Sequence, residues 1–203
     1  MNFKDKKYSF GAKAVALVGI MAATLECGKL VLSFLPNIEV VTLLTALYGY
    51  VFGWYGVAAA VVFVCIEPLI YGFGGWIITY IIYWPLVATV FMLLGRRGVK
   101  NRFLLTAVAV GMTVLFGILS SVVDTAILLG VNGNYFKNLA LYYARGVIFY
   151  AVQIACNAAI FPTLFPFLSE RLSVIKPSVL CKKCKQKVTI PAFVNKSGDF
   201  VIS

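Results

Sequence analysis

Residues 56–94 read GVAAAVVFVCIEPLIYGFGGWIITYIIYWPLVATVFMLL, and Glu67 is their only charged side chain. Two apolar runs, 56–71 and 75–94, are parted by Gly72-Phe73-Gly74-Gly75. A helix that crosses a bilayer needs about 20 mostly apolar residues. Two such runs back to back, with one carboxylate near the end of the first, assign the chain to the polytopic membrane class.

The rest of the chain follows suit. Of its 203 residues, 62% are hydrophobic and 12% charged, and mean hydropathy is +0.94. That is too apolar for a soluble domain of this length. Six spans are expected, at 12–34, 39–54, 56–71, 75–94, 103–129 and 139–168. The second and third are short and meet at the tight Gly53-Trp54-Tyr55-Gly56 turn. The predicted fold is an all-α integral membrane protein, a six-transmembrane-helix bundle over residues 1–172. Residues 173–203 form a short basic tail with a single C-x-x-C. At about 23 residues the first stretch exceeds the apolar region of a cleavable signal peptide and is read as a span.

The net charge of +11 invites a nucleic-acid reading. Its placement argues otherwise. Lys4, Lys6, Lys7 and Lys13 precede span one, and Arg96, Arg97, Lys100 and Arg102 fill the link between spans four and five. Arg171, Lys176, Lys182, Lys183, Lys185 and Lys187 follow span six, whereas only Lys29, Lys137 and Arg145 lie near the opposite face. This is the positive-inside pattern: a multi-pass protein of the cell membrane with both termini cytoplasmic. No nucleic-acid partner is expected, since aromatics are not interleaved with the basic tail.

The acids carry the functional signal. Four of the seven Asp and Glu, namely Glu26, Glu39, Glu67 and Asp124, lie within or at the edge of apolar segments. A carboxylate at the centre of a membrane helix costs ~2.5–3.5 kcal/mol on insertion scales, so it normally faces a protein interior, a cavity or a partner. On the topology above, all four fall towards the outer side. Pro36 ends the first helix, Asn37 can cap the second, and Glu39 suits its first turn. Lys29, three residues after Glu26, can pair with it, and Arg145 can pair with Asp124 or Glu67. Internal pairing and ligand binding both remain open for each acid.

Near the same depth lie Tyr71, Phe73, Trp76, Tyr80, Tyr83 and Trp84. An interfacial aromatic belt explains part of this set. Trp76, Tyr80 and Trp84, however, recur every four residues and share one helix face, as the platform of a small-molecule pocket would. Gln153 and Asn157, also four apart, put two amides on one side of span six, for interhelical hydrogen bonds or for a ligand. Ala12, Ala16, Gly19 and Ala23 form a small-residue stripe on helix one, which suits close packing within the bundle or docking of a separate membrane subunit. Glu39, Glu67, Tyr71, Trp76, Tyr80, Trp84, Asp124, Arg145, Gln153 and Asn157 are thus the candidate substrate-binding residues.

Cys27, Cys65 and Cys156 lie in apolar spans and read as small hydrophobes. Cys181 and Cys184 are the only candidate metal pair, in the setting CKKCKQKVTIP followed by Lys196-Ser197-Gly198-Asp199. A zinc ribbon needs a second ligand pair, and these 203 residues contain neither that pair nor a His. The tail is then an incomplete ribbon, a half-site shared with another chain or, the preferred reading, a plain basic tail with no metal and no cofactor.

These features together resemble the substrate-binding S component of energy-coupling factor (ECF) transporters. LPNIEVV at 35–41, EPLIYGFGGW at 67–76 and YWP at 83–85 are similar to segments of a Firmicutes-type subfamily, over roughly residues 10–168. The resemblance implies an acid before the Tyr-Gly-Phe-Gly turn, where Glu67 stands. It departs at Pro68 and at the sixth helix, where Gln153 occupies the neighbourhood of an expected His. It implies a membrane-embedded capture subunit for a vitamin or related micronutrient, cobalamin-like or another ring-bearing compound. A transmembrane coupling subunit and two ATPase subunits would be its partners. The captured ligand would be delivered when the subunit topples against the coupling subunit. The chain would not itself be an enzyme, and it has no G-x-x-x-x-G-K-[ST] motif. Two other classes stay open: a small integral-membrane enzyme using carboxylates, and a membrane scaffold whose basic tail binds lipid or a partner.

Overall fold

The computed structural model describes residues 11–34, 40–131 and 133–180. The described residues form six helices: α1 (Ala12–Val31), α2 (Val41–Phe52), α3 (Trp54–Tyr71), α4 (Trp76–Arg96), α5 (Arg102–Leu129) and α6 (Tyr135–Leu180). All but α2 are long and apolar enough to cross a bilayer, so the all-helical, multi-pass membrane architecture stands. The segment 35–39, with Pro36, Asn37 and Glu39, and the tail from 181, with Cys181 and Cys184, lie outside the described residues.

The expected second span contracts to the 12 residues of α2. At 1.5 Å per residue that is about 18 Å, short of a hydrocarbon core of about 30 Å. A helix this short and apolar is stable because protein surrounds it. Ten of its residues are buried, and it packs against α1, α3, α4 and α6. Gly49 makes the closest approach possible: a Cβ there would run into the backbone carbonyl of Ala88 on α4. With no side chain on Gly49, the two backbones come into direct dispersion contact at that point.

Chain direction alternates from helix to helix. Gly28 near the end of α1 meets Val40 and Leu44 at the start of α2. Gly75, before α4, faces Ile127 near the end of α5. Tyr50 and Phe91, late in α2 and α4, both pack on Phe165 in the second half of α6. One end of the bundle therefore gathers the ends of α1, α3 and α5 with the starts of α2, α4 and α6. The α4–α5 link, with Arg96, Arg97, Lys100 and Arg102, lies at the other. Tyr50 ties that link down by donating its hydroxyl proton to the Val99 carbonyl at 2.8 Å.

Local signals explain the boundaries. Gly53 takes a φ of +66°, which favours glycine and lets α3 start directly after α2. The Asn101 side chain accepts from the amides of Phe103 and Leu104 and caps α5. Helix α3 continues through Pro68 to Tyr71, and α4 continues through Pro85. Helix α6 has 46 residues and runs unbroken past residue 172. At about 69 Å it is more than twice as long as a bilayer core is thick. Much of its apolar surface is exposed, including Phe136, Ile148, Phe149 and Phe167, as on a lipid-facing helix.

Candidate functional site

At the end of the bundle opposite the basic α4–α5 link, three helices converge on a small polar cluster. Helix α1 supplies Glu26 and Lys29, α3 supplies Glu67 and Tyr71, and α4 supplies Trp76, Tyr80 and Trp84. The Lys29 ammonium forms an ion pair with Oε2 of Glu67. The same ammonium sits 4.1 Å from the centre of the Tyr71 ring and 5.2 Å from that of Tyr80, both within cation–π range. Lys29 thus occupies a box with a carboxylate at its base and aromatic walls.

Burial orders the cluster by depth. Glu67 is 0% exposed and Glu26 6%, whereas the Lys29 side chain is 26% exposed and Tyr71 45%. Lys29 and Tyr71 therefore stand at the mouth and the carboxylates behind them. Glu26 is near enough to feel the charges of both Glu67 and Lys29. Among the described residues, neither carboxylate oxygen of Glu26 accepts a hydrogen bond, nor does Oε1 of Glu67.

An aromatic stack extends inward from this cluster. Trp76 and Tyr80 meet edge to face at 5.1 Å, and Tyr80 and Trp84 at 5.7 Å. Their recurrence every four residues puts them on one face of α4. Phe116 of α5, which sequence patterning did not single out, closes the stack against Tyr80, Tyr83 and Trp84. Trp84 is almost fully buried, and among the described residues its indole nitrogen has no partner.

The other described sequence candidates make contacts of their own. Asp124, half-buried on α5, accepts from Ser120 of its own helix at 3.4 Å. Arg145 is exposed on α6 and rests over the ring of Tyr142 at 5.8 Å. Among the described residues no ion pair joins Arg145 to Asp124 or to Glu67, and Lys29 pairs with Glu67 rather than with Glu26. The physical reason is helix placement. Glu67 comes from a neighbouring helix, has no water and needs a counter-charge, while Arg145 projects outward. Asn157 donates to Thr113 of α5 at 2.9 Å, which makes it an interhelical bond. Gln153, one turn away, is buried with an unpartnered side-chain oxygen. Glu39 lies outside the described residues.

Two members were missing from the sequence candidates: Glu26 and Lys29. Both charges sit in an apolar segment, and that signal was available. What the sequence did not contain was the approach of α3 to α1, which converts them from a local pair into part of a three-helix cluster.

The small-residue stripe falls on the exposed face of α1. Ala12, Ala16, Gly19 and Ala23 are all exposed, and a Cβ on Gly19 would meet nothing within 4 Å. The packed face of α1 is instead Ala14, Val18, Met21 and Leu25. Packing within the bundle therefore does not account for the stripe. Among the described residues no group of three His, Cys, Asp or Glu could hold a metal ion. No family model, curated protein or solved structure matches the chain.

Proposed function

We propose that this chain is the substrate-capture subunit of an ECF-type importer, binding a vitamin or related micronutrient at the Glu26–Lys29–Glu67 cluster. One observation supports the reading: among the described residues, buried carboxylate oxygens of Glu26 and Glu67 have no protein donor and lie near an aromatic stack, with part-exposed Lys29 and Tyr71 beside them. Buried polar atoms are nearly always hydrogen-bonded, so orphans at the mouth of a bundle mark a place where a ligand supplies the missing donors.

The aromatic rings Trp76, Tyr80 and Tyr71 would hold a flat or ring-bearing ligand, and Glu67 and Glu26 would accept its N–H groups. The exposed stripe Ala12/Ala16/Gly19/Ala23 supports docking of a separate transmembrane coupling subunit, because a flat small-residue face permits close helix approach in lipid. Delivery requires the bundle to make different contacts in two states, and a face free in the solitary subunit provides them. Energy would come from two ATPase subunits on the cytoplasmic side, and the distribution of basic connections supports cytoplasmic termini. In this reading the chain is not an enzyme and resides in the cell membrane.

Two measurements test the proposal. Affinity purification from the native membrane is expected to recover a coupling subunit and an ATPase pair. Mass spectrometry of small molecules released from the purified chain is expected to find a ring-bearing micronutrient that Glu67→Gln no longer retains. Turnover of a lipid or peptide by the isolated chain, with no ATPase recovered, would replace the import reading by the enzyme reading.

A further inference from the structure

An open groove of about 760 Å³ lies at the basic end of the bundle, opposite the Lys29–Glu67 cluster. That is within the roughly 300–1,000 Å³ of small-molecule sites. One wall is the α4–α5 link and the start of α5, with Lys100, Arg102 and Phe103. The other is one face of α6, where Pro162, Pro166 and Glu170 recur every four residues beside Phe167. The groove straddles the boundary between apolar and charged surface. The Phe103 and Phe167 rings are 68% and 55% exposed, and from them α5 and α6 continue into their apolar stretches. Lys100, Arg102 and Glu170 are exposed beyond that boundary, and among the described residues none of the three forms an ion pair. Arg102 links the two parts, resting over the Phe103 ring at 5.1 Å.

We propose that this groove binds a phospholipid of single negative charge whose headgroup carries hydroxyls. Its phosphate would sit between Lys100 and Arg102, and its hydroxyls would donate to Glu170. The first carbons of its acyl chains would cover Phe103 and Phe167. Two cations, one carboxylate and one phosphate then balance. A soluble phosphate would answer the cations and leave both rings uncovered, whereas an amphiphile from the surrounding bilayer satisfies both halves. The chain's own tail does not suit: residues 181–203 carry five lysines against the single acid Asp199, so Lys100 and Arg102 repel them. Helix α6 also runs on to Leu180, about 15 Å past Glu170, before that tail begins. Each basic side chain near an anionic lipid surface is worth roughly fivefold in affinity. With Glu170 opposing one of the two, a preference of roughly fivefold for the anionic lipid over a zwitterionic one is expected. The bound lipid bridges the start of α5 and the second half of α6, whatever the Glu67 cluster binds.

Native mass spectrometry of the full chain tests this. The protein is released from micelles doped with equal amounts of phosphatidylglycerol, phosphatidylethanolamine and phosphatidylcholine of the same acyl chains. Phosphatidylglycerol should be retained at least fivefold over each of the others. The double variant Lys100→Gln/Arg102→Gln should bring that ratio below twofold. Lys13→Gln/Arg97→Gln removes as many exposed cations from the same end but outside the groove, and should keep it. If the first double variant does not fold, photo-crosslinking of the wild type decides. Phosphatidylglycerol with a diazirine beside its glycerol should then label the peptides containing Phe103 and Phe167 at least fivefold above its phosphatidylcholine counterpart. Retention indifferent to headgroup, equal loss of preference in both double variants, or labelling spread over other peptides would overturn the proposal. Displacement of the lipid by glycerol 1-phosphate would overturn it too, by assigning the groove to a soluble phosphate. A lipid-free dimer that Phe167→Ser splits would give the groove to a second copy instead.

Discussion

Gly49→Ala probes the seam that holds the short α2 helix in place. The added Cβ would land on the backbone carbonyl of Ala88, and both partners are helix backbone, so no side-chain rotation relieves the overlap. Helices α2 and α4 must separate until the contact reaches the 3.4–4 Å of ordinary packing. Overpacking of a tight core costs about 1–3 kcal/mol, and a rigid backbone contact belongs at the upper end. For a chain of this size each kcal/mol shifts the unfolding midpoint by about 2–4 °C, so a fall of roughly 6–12 °C is expected. Thermal unfolding in detergent, read by size-exclusion profiles of heated aliquots, measures it. The matched control is Gly19→Ala, at an exposed position in mid-helix where a Cβ meets nothing within 4 Å. Alanine is about 0.8–1.0 kcal/mol better than glycine in a helix, so this variant should melt at or above the wild-type midpoint. Equal midpoints for the two variants, or a fall at Gly19 as large as at Gly49, would refute the reasoning that backbone contact holds α2.

The exposed stripe gives a second test: Ala16→Trp should leave the midpoint and ligand binding of the solitary chain unchanged while preventing recovery of the coupling subunit, and loss of binding would return the stripe to internal packing. Asn157→Leu removes the bond to Thr113 across α5 and α6 and should cost about 0.6–1.7 kcal/mol, as interhelical hydrogen bonds in membranes do; adding Thr113→Val should recover part of the loss, and strict additivity would show that the bond contributes nothing. Glu67→Gln should weaken retention of the native ligand by roughly tenfold to a hundredfold, the worth of a charged hydrogen bond of about 1.5–3 kcal/mol. Orientation is open to cysteine labelling in a background lacking the native cysteines: an impermeant reagent on intact cells should label Gly133→Cys and spare Gly98→Cys, and the opposite pattern would invert the topology.

Composition and periodicity sufficed for the membrane class, because the bilayer acts on each helix separately. A run such as 75–94 must be apolar wherever its neighbours stand, so its solvent is written into its residues. The same holds for the Trp76/Tyr80/Trp84 face and the alanine stripe on α1, since a helical repeat places such residues on one face before any packing occurs. Glu67 was conspicuous for the same reason: a lone carboxylate in hydrocarbon is costly and must be used. Partners were a different matter. The spacing of Glu26 and Lys29 suggested a pair within α1, yet Lys29 turned to Glu67, which a second helix carries in and which has no water to satisfy it. Arg145 and Asp124 looked suited by charge and depth, but α6 turns Arg145 outward. Whether the stripe faced the bundle or the lipid, and whether α2 could be short, likewise depended on which backbones approach one another. Such choices follow from the contacts of all six helices at once, and only the tertiary structure contains them.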